Sequence, residues 1–334
     1  NSFDKGFNVC LDIDTSISAL LAIRPHLHHS IISFLLGYYL FNLSGIKWKE
    51  ILNSDNTFFK DLVSVEMQNK SEEDAIEETW GKLNSAWFTA SLLHDVGLVI
   101  AKHKMMEEKL TTLIDKLDIT PPINTGNLEV DKGIRDDALI RIGQTRNKEE
   151  IINFIRQLVS TDHGLISSIF LAKHCYDEVP DNRKNEITIA AEAVALHNSL
   201  SKNDFPLLDF QKEPIAAMLV FCDTIQSWKR DMPDPSILGG DYIAKVELCD
   251  LDTISRNEYG PEVSFVVKYY PHAQVARHKP TFDKIYGELS EILELKVKAP
   301  LKQKLSFSAP TEYKPRIKVI FQLGHKVITT LEIP

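Results

Sequence analysis

A histidine followed directly by an aspartate stands inside one of the most apolar stretches of the chain. His94 and Asp95 lie within residues 86–101, a segment that contains no lysine or arginine. An unpaired carboxylate is costly to bury, so Asp95 requires a cation from elsewhere in the fold. Neighbouring positions on a helix are about 100° apart, which lets both side chains approach one metal ion. The alternative is a His–Asp pair satisfied by distant arginine or backbone groups.

Other acids and histidines occupy similarly apolar surroundings. Asp223 ends the uninterrupted apolar run 215–222, and the next basic residues are about two turns away, too far for an i,i+4 pair. His197 also ends an apolar segment, where a satisfied core histidine is the simpler interpretation. Asp162 and His163 lie at a break between two helical segments. Asp162 is explained better as a helix N-cap than as a metal ligand, whereas capping does not require His163.

Three histidines, His26, His28 and His29, open another apolar helix, and any one of them could be a ligand. Imidazole combined with carboxylate suits Mn, Fe, Co, Ni or Zn better than Ca, which prefers oxygen alone. Mg is a further candidate. The four cysteines form no close pair, so neither thiolate ligation nor a disulfide framework is indicated. We therefore predict one or two divalent ions in a protein from a reducing, cytoplasmic compartment.

Composition limits the class of protein. At 334 residues, 43% hydrophobic and 25% charged, the chain is long enough for about two globular domains. A net charge of -9 argues against broad binding to nucleic acid or anionic membrane, and the longest early apolar run, 31–43, is too short to span a bilayer. The chain begins at Asn1 without a signal-peptide pattern, as expected for a trimmed chain or a fragment.

The periodicity of apolar residues changes once along the chain. Helical spacing dominates from 25 to about 228, and a proline- and glycine-rich cluster follows at 232–240. Period-two segments then predict strands, with one helix among them. We predict a mainly α protein: a helical domain over 1–235, with insertions near 53–81 and 119–146, followed by a small β-β-α-β-β domain over 240–334. The predicted helices are 27–43, 47–52, 86–101, 104–117, 149–159, 165–175, 186–199 and 214–228, and the predicted strands are 242–249, 262–270, 316–323 and 326–333.

Taken in order, these residues reproduce an H...HD...D pattern that resembles the HD superfamily of metal-dependent phosphohydrolases. The segment 92–97, LLHDVG, is similar to the "LLHDIG" of that family, and the His29–Ser30 pair resembles the "HS" that opens its first ligand helix. This similarity selects His29 over His28 and His26. His163 before Gly164, His197 and the run that ends at Asp223 resemble the extra ligands of members that bind two metals. The resemblance covers about residues 20–230.

The resemblance implies an HD-type helical bundle with a defined ligand set. One metal would be held by His29, His94, Asp95 and Asp223, and Asp95 would bridge to a second held by His163 and His197. Water made acidic by the metals would attack phosphorus, with His94 and Asp95 as the catalytic pair. Where many members carry lysine after the HD turn, this chain has Leu98, so Lys102 is a candidate substitute. Lys173 and Arg230 are further candidates for substrate binding.

The expected activity is hydrolysis of a phosphate ester or anhydride in a small, nucleotide-like substrate. Two alternatives are an HD-type single-strand nuclease and a non-catalytic HD sensor or scaffold whose output runs through the C-terminal domain. Nucleic acid is a less favoured partner than a small phosphorylated molecule, and no membrane partner is expected. The sequence leaves the oligomeric state open.

Overall fold

A computed structural model describes residues 26–39, 57–67, 70–98, 162–176, 178–199, 208–225, 243–257, 260–271, 279–306 and 316–333. These residues are mostly helical with a small sheet, in agreement with the predicted mainly α class. The chain divides into two compact units: Asn1–Phe34 with Ser71–Phe205, and Leu35–Lys70 with Pro206–Pro334. No helix in the described part has the length and apolar character needed to cross a membrane.

The first unit is built from helices. Those described are most of α1 (His26–Tyr38), α3 (Glu72–Leu93), α4 (His163–Phe170) and α5 (Lys184–Ser199). A π-helical turn, Leu171–Cys175, extends α4, and a 3-10 turn, Asp181–Arg183, leads into α5. Helix α2 (Thr57–Glu66) belongs to the second unit.

Helix α3 begins earlier than the sequence predicts. Ser71 is its N-cap, accepting a hydrogen bond at 3.2 Å from the backbone N–H of Asp74. Three acids occupy its first turn, where negative charge complements the helix dipole. The acidic segment expected to precede a helix over 86–101 is therefore the first part of that helix.

Small residues allow close packing in the first unit. Ala86 and Ala90 of α3 are fully buried, as are Ala190 and Ala191 of α5, and these two helices pack against each other. The apolar side chains of α4, such as Leu165, are also buried, and α4 packs on α5. Close helix–helix approach brings the polar residues near the helix ends within reach of one another.

The second unit contains α6 (Pro214–Ile225), α7 (Lys279–Ile292), a π-helical turn (Leu293–Lys298) and α8 (Ala299–Lys304). Two short strands, β1 (Leu208–Asp209) and β4 (Leu305–Ser306), pair in parallel beside α6 and α8. Within this unit α6 packs against α8 and the π-helical turn.

A four-stranded sheet completes the second unit in the order β2 (Ile243–Asn257), β3 (Gly260–Pro271), β5 (Arg316–Leu323) and β6 (Lys326–Ile333). The outer pairs are antiparallel, and β3 and β5 are parallel because the chain crosses over through α7 and α8. Along β5 the residues alternate between buried and partly exposed, and Gly324, at φ +60°, turns the chain into β6. Strands β5 and β6 form the predicted closing hairpin, and α7, α8 and the short strand β4 lie between β3 and β5 along the chain.

The compact units divide the chain differently from the boundary predicted near 235–240. Helix α6 belongs with the C-terminal elements because it packs on α8 and because β1, just before it, pairs with β4. The predicted insertion near 53–81 contains α2 and the start of α3. The insertion predicted near 119–146 and the helices predicted at 47–52, 104–117 and 149–159 lie outside the described residues.

Candidate metal centre

Helix α3 ends at the point where the predicted ligands begin. The sequence places His94 and Asp95 in the middle of a continuous helix, and this expectation is wrong: α3 ends at Leu93 and residues 94–97 form turns. The Gly97 N–H, which would bond the Leu93 carbonyl in a helix, instead donates to Ser167 Oγ at 2.7 Å. The Leu93 carbonyl instead accepts a 3-10-type hydrogen bond from the N–H of Val96, three residues later, at 3.3 Å. A hydroxyl from α4 therefore helps to end the helix.

Gly97 is needed at this turn because α4 lies directly against it. A Cβ atom on Gly97 would stand 2.4 Å from the backbone carbonyl oxygen of His163 and 2.7 Å from both Ile166 Cβ and Ser167 N. These distances are far below van der Waals contact. The bare Cα of Gly97 thus brings the turn that carries His94 and Asp95 close to the helix that begins with His163.

Helix α1 supplies His29 to the same place. The Phe34 ring of α1 meets the Phe88 ring of α3 edge to face, with centroids 5.0 Å apart, and Trp87 Nε1 donates to the Phe34 carbonyl at 3.2 Å. His29, one and a half turns before Phe34, is buried, and its ring lies edge to face with that of His94 at 5.3 Å.

His94 is held in one orientation. Its Nδ1 lies 2.8 Å from the Ser91 carbonyl oxygen, which can only accept, so Nδ1 carries a proton. Nε2 then points to Asp95, with Nε2 and Oδ2 3.5 Å apart. A nitrogen lone pair and a carboxylate oxygen repel each other unless a proton or a metal cation lies between them.

The distances around Asp95 are longer than a charge-assisted hydrogen bond and are consistent with metal binding. Asp95 Oδ2 lies 3.9 Å from His29 Nε2 and 3.5 Å from His94 Nε2, and Oδ1 lies 3.4 Å from His163 Nε2. A charge-assisted hydrogen bond between imidazolium and carboxylate is shorter, about 2.7–2.9 Å. Tetrahedral ligands at about 2.0–2.1 Å from a metal are about 3.3–3.4 Å apart. The separations of 3.4 Å and 3.5 Å are close to this spacing, and the separation of 3.9 Å between Asp95 and His29 is longer.

The ligand atoms fall into two groups that share one carboxylate. The first group is His29, His94 and Asp95, the second is Asp95, His163 and His197, and within each group these atoms lie within 4.8 Å of one another. The His197 ring is held in the same way as the His94 ring, because its Nδ1 lies 2.6 Å from the Val194 carbonyl oxygen. A backbone acceptor at Nδ1 fixes the tautomer that leaves Nε2 able to bind a metal. Each group is consistent with metal binding, and Asp95 belongs to both.

Burial differs among these ligands. His29, His94, Asp95 and His197 are each at most 6% exposed, whereas the His163 side chain is 17% exposed. Solvent reaches the described ligands most readily at His163.

The structure brings together five of the six predicted metal ligands: His29, His94, Asp95, His163 and His197. The sixth, Asp223, lies near the end of α6 in the second unit, so its role as a ligand stays a prediction. Lys102 and Arg230 lie outside the described residues, as do the side chains of Lys173, His26 and His28.

Asp223 has a cationic neighbour within its own unit. Partial burial lowers the pKa of Lys304 at the end of α8, and the negative charge of Asp223 opposes that shift. Burial also raises the pKa of the adjacent Cys222 thiol, and Asp223 raises it further. The requirement for a cation that the sequence assigns to Asp223 is met in part by a lysine far along the chain.

Several supporting residues were not predicted. Ser167 ends α3, and Gly97 and Gly164 allow backbones to approach closely. Asn198 donates to the Asp162 carboxylate at 3.1 Å. Gly97, Gly164 and Asn198 lie within two residues of a predicted ligand, and this proximity was their signal in the sequence; Ser167 had no such signal. The predicted N-cap role of Asp162 is confirmed, since its Oδ1 accepts from the Leu165 N–H at 2.9 Å.

Comparisons with protein-family models, with curated proteins and with solved structures give no significant match. Membership of the HD superfamily therefore stays a prediction that rests on the motif residues.

Proposed function

We propose that the chain is a metal-dependent phosphohydrolase of the HD type, acting on a phosphate ester or anhydride of a nucleotide-like substrate. The observation that supports this proposal most strongly is the division of the Asp95 carboxylate between two histidine groups. Mn, Fe, Co, Ni or Zn suits these ligands best, and Mg is a further candidate.

Bound divalent ions would supply the Lewis acidity that activates water and neutralises charge on phosphate oxygens. The protein's own contribution is to fix the ligand atoms. Backbone carbonyls orient His94 and His197, and the turn after α3 holds Asp95 between the two groups. The greater exposure of His163 suggests that a substrate would approach from its side.

Metal analysis of the purified full chain tests the first half of the proposal. We expect stoichiometric divalent metal in the wild type and its loss in Asp95→Asn, which keeps the side-chain volume but removes the shared charge. Asp74→Asn, the same change in the exposed first turn of α3, is the matched control and should bind metal normally. Equal metal content in Asp95→Asn and the wild type would refute a metal centre at Asp95.

A substrate panel tests the second half. Nucleotides, dinucleotides and short single strands are assayed with Mn and the other candidate ions, comparing the wild type with Asp95→Asn. Turnover of small phosphorylated molecules, lost in Asp95→Asn, would support the proposal. Turnover of polynucleotides alone would favour the nuclease alternative, and stoichiometric metal without turnover of any substrate would favour a sensor or scaffold.

A further inference from the structure

The N-terminal part of α4, which begins with His163, contacts two other segments of the chain. One of them carries Asp95 and the other carries His197. On one side Ser167 and the His163 carbonyl lie against Gly97, next to Asp95. On the other side Gly164 lies against the end of α5: a Cβ atom there would be 2.8 Å from the Val194 carbonyl and 3.1 Å from His197 Cε1. That carbonyl is also the acceptor for His197 Nδ1.

Asp162 joins these two helix ends through its two carboxylate oxygens. Oδ1 caps α4 at the Leu165 N–H, two residues after His163, at 2.9 Å. Oδ2 accepts from Asn198 Nδ2, one residue after His197, at 3.1 Å. Asp162 is largely buried, at 8% residue exposure, the bond to Leu165 is buried, and the bond to Asn198 is partly buried.

We propose that the Asp162–Asn198 hydrogen bond is a positioning link that sets the separation of His163 and His197, and with it the affinity of the second ligand group for its ion. The inference rests on the proposed function, because it assigns a role in that same metal site. Neither residue touches the reacting atoms. Outer partners of this kind typically change metal affinity about 10- to 100-fold.

The chemistry of the pair allows a test by exchanging donor and acceptor. Asn198→Asp places two carboxylates against each other and breaks the link. Charge alone predicts the opposite effect on metal, since an added carboxylate beside His197 attracts a cation. In the double variant Asp162→Asn/Asn198→Asp, the amide donates in the reverse direction, and the net charge returns to that of the wild type.

The experiment measures Mn²⁺ binding to the full chain by calorimetry, with thermal unfolding of the metal-free proteins as a check on folding. We expect Asn198→Asp to weaken one of two Mn²⁺ ions about 10- to 100-fold, the same ion that His197→Gln removes. The other ion should keep its affinity within about threefold. The double variant should restore both ions, and Asp74→Asn is again the matched control.

Unchanged or tighter Mn²⁺ binding in Asn198→Asp would overturn the link. Equal loss of affinity for both Mn²⁺ ions would also overturn it. So would a folded Asp162→Asn/Asn198→Asp variant that does not regain the affinity of the wild type. A wild type that binds a single Mn²⁺ would also overturn the link, while leaving a one-metal phosphohydrolase intact. A wild type that binds no divalent ion would overturn the proposed function itself.

Discussion

Gly97→Ala provides the sharpest test of how the turn after α3 positions the metal ligands. The added methyl carbon would meet the His163 carbonyl oxygen at 2.4 Å, where real Cβ contacts are not found below 3.0 Å. Relief requires the turn after α3 to move away from α4 by at least about 0.6 Å, and overpacking of this kind costs about 1–3 kcal/mol. Gly97 lies outside the left-handed region, so steric contact is the cause.

The same displacement acts directly on the ligands. His163 supplies both the carbonyl that is struck and the imidazole that lies 3.4 Å from Asp95. Metal sites tolerate changes of only about 0.2 Å in ligand distance. We therefore expect Gly97→Ala to unfold at a lower denaturant concentration and to bind the second Mn²⁺ ion more weakly.

Gly81→Ala is the matched control, because Gly81 lies in α3, the helix that leads into this turn, and has no atom within 4 Å of an added Cβ. There the substitution should raise the free energy of unfolding by about 0.4–1 kcal/mol by restricting the unfolded chain. Urea unfolding of the metal-free proteins and Mn²⁺ titration provide the measurements. If Gly97→Ala were as stable as Gly81→Ala and bound Mn²⁺ like the wild type, the steric reasoning would be refuted.

Three further predictions concern stability and reactivity. Arg183→Ala should lower the free energy of unfolding, measured in urea, by about 1–3 kcal/mol. The substitution removes the guanidinium that donates to the buried Glu186 carboxylate at 2.8 Å and 3.1 Å. Unchanged stability would contradict this prediction. Burial raises the pKa of Cys175 to about 11. Iodoacetamide at pH 8 should therefore modify Cys175 about 100-fold more slowly than a free thiol, as peptide mass spectrometry would show. The free energy of unfolding should fall as the pH rises from about 8.5 towards 11, because the unfolded chain loses this proton first. Mn²⁺ at 100 times its dissociation constant should raise the free energy of unfolding of the wild type by about 2.7 kcal/mol. A similar gain in Asp95→Asn would argue against a metal site at Asp95.

Local patterns predicted much of the regular structure. Period-two alternation identified β5 and β6 with their observed bounds, and Gly324 marked the turn between them. Such features depend on residues that are close in sequence. Polar residues in apolar surroundings singled out His94 and Asp95 in the sequence. The resemblance to the HD superfamily selected His29 among three histidines and added His163 and His197 as candidate ligands.

The remaining features depend on contacts between distant residues. The end of α3 is determined in part by the hydroxyl of Ser167, 70 residues after Gly97. Among the described residues, Lys304 interacts electrostatically with Asp223, and no i,i+4 rule detects a lysine so far along the chain. Likewise, Asn198 is an ordinary polar residue in the sequence and acquires a role only because α5 ends beside Asp162.

The arrangement of the five candidate ligands predicts that the two groups can be perturbed separately. His29 comes from α1 and belongs only to the first group, whereas His163 and His197 come from α4 and α5 and belong only to the second. The shared residue, Asp95, lies in a turn whose position depends on both α3 and α4. A substitution in the first turn of α4 should therefore affect the second group first, and one at Asp95 should affect both. Comparing separate variants at His29, Asn198 and Asp95 would show whether the proposed hydrolysis requires one ion or two.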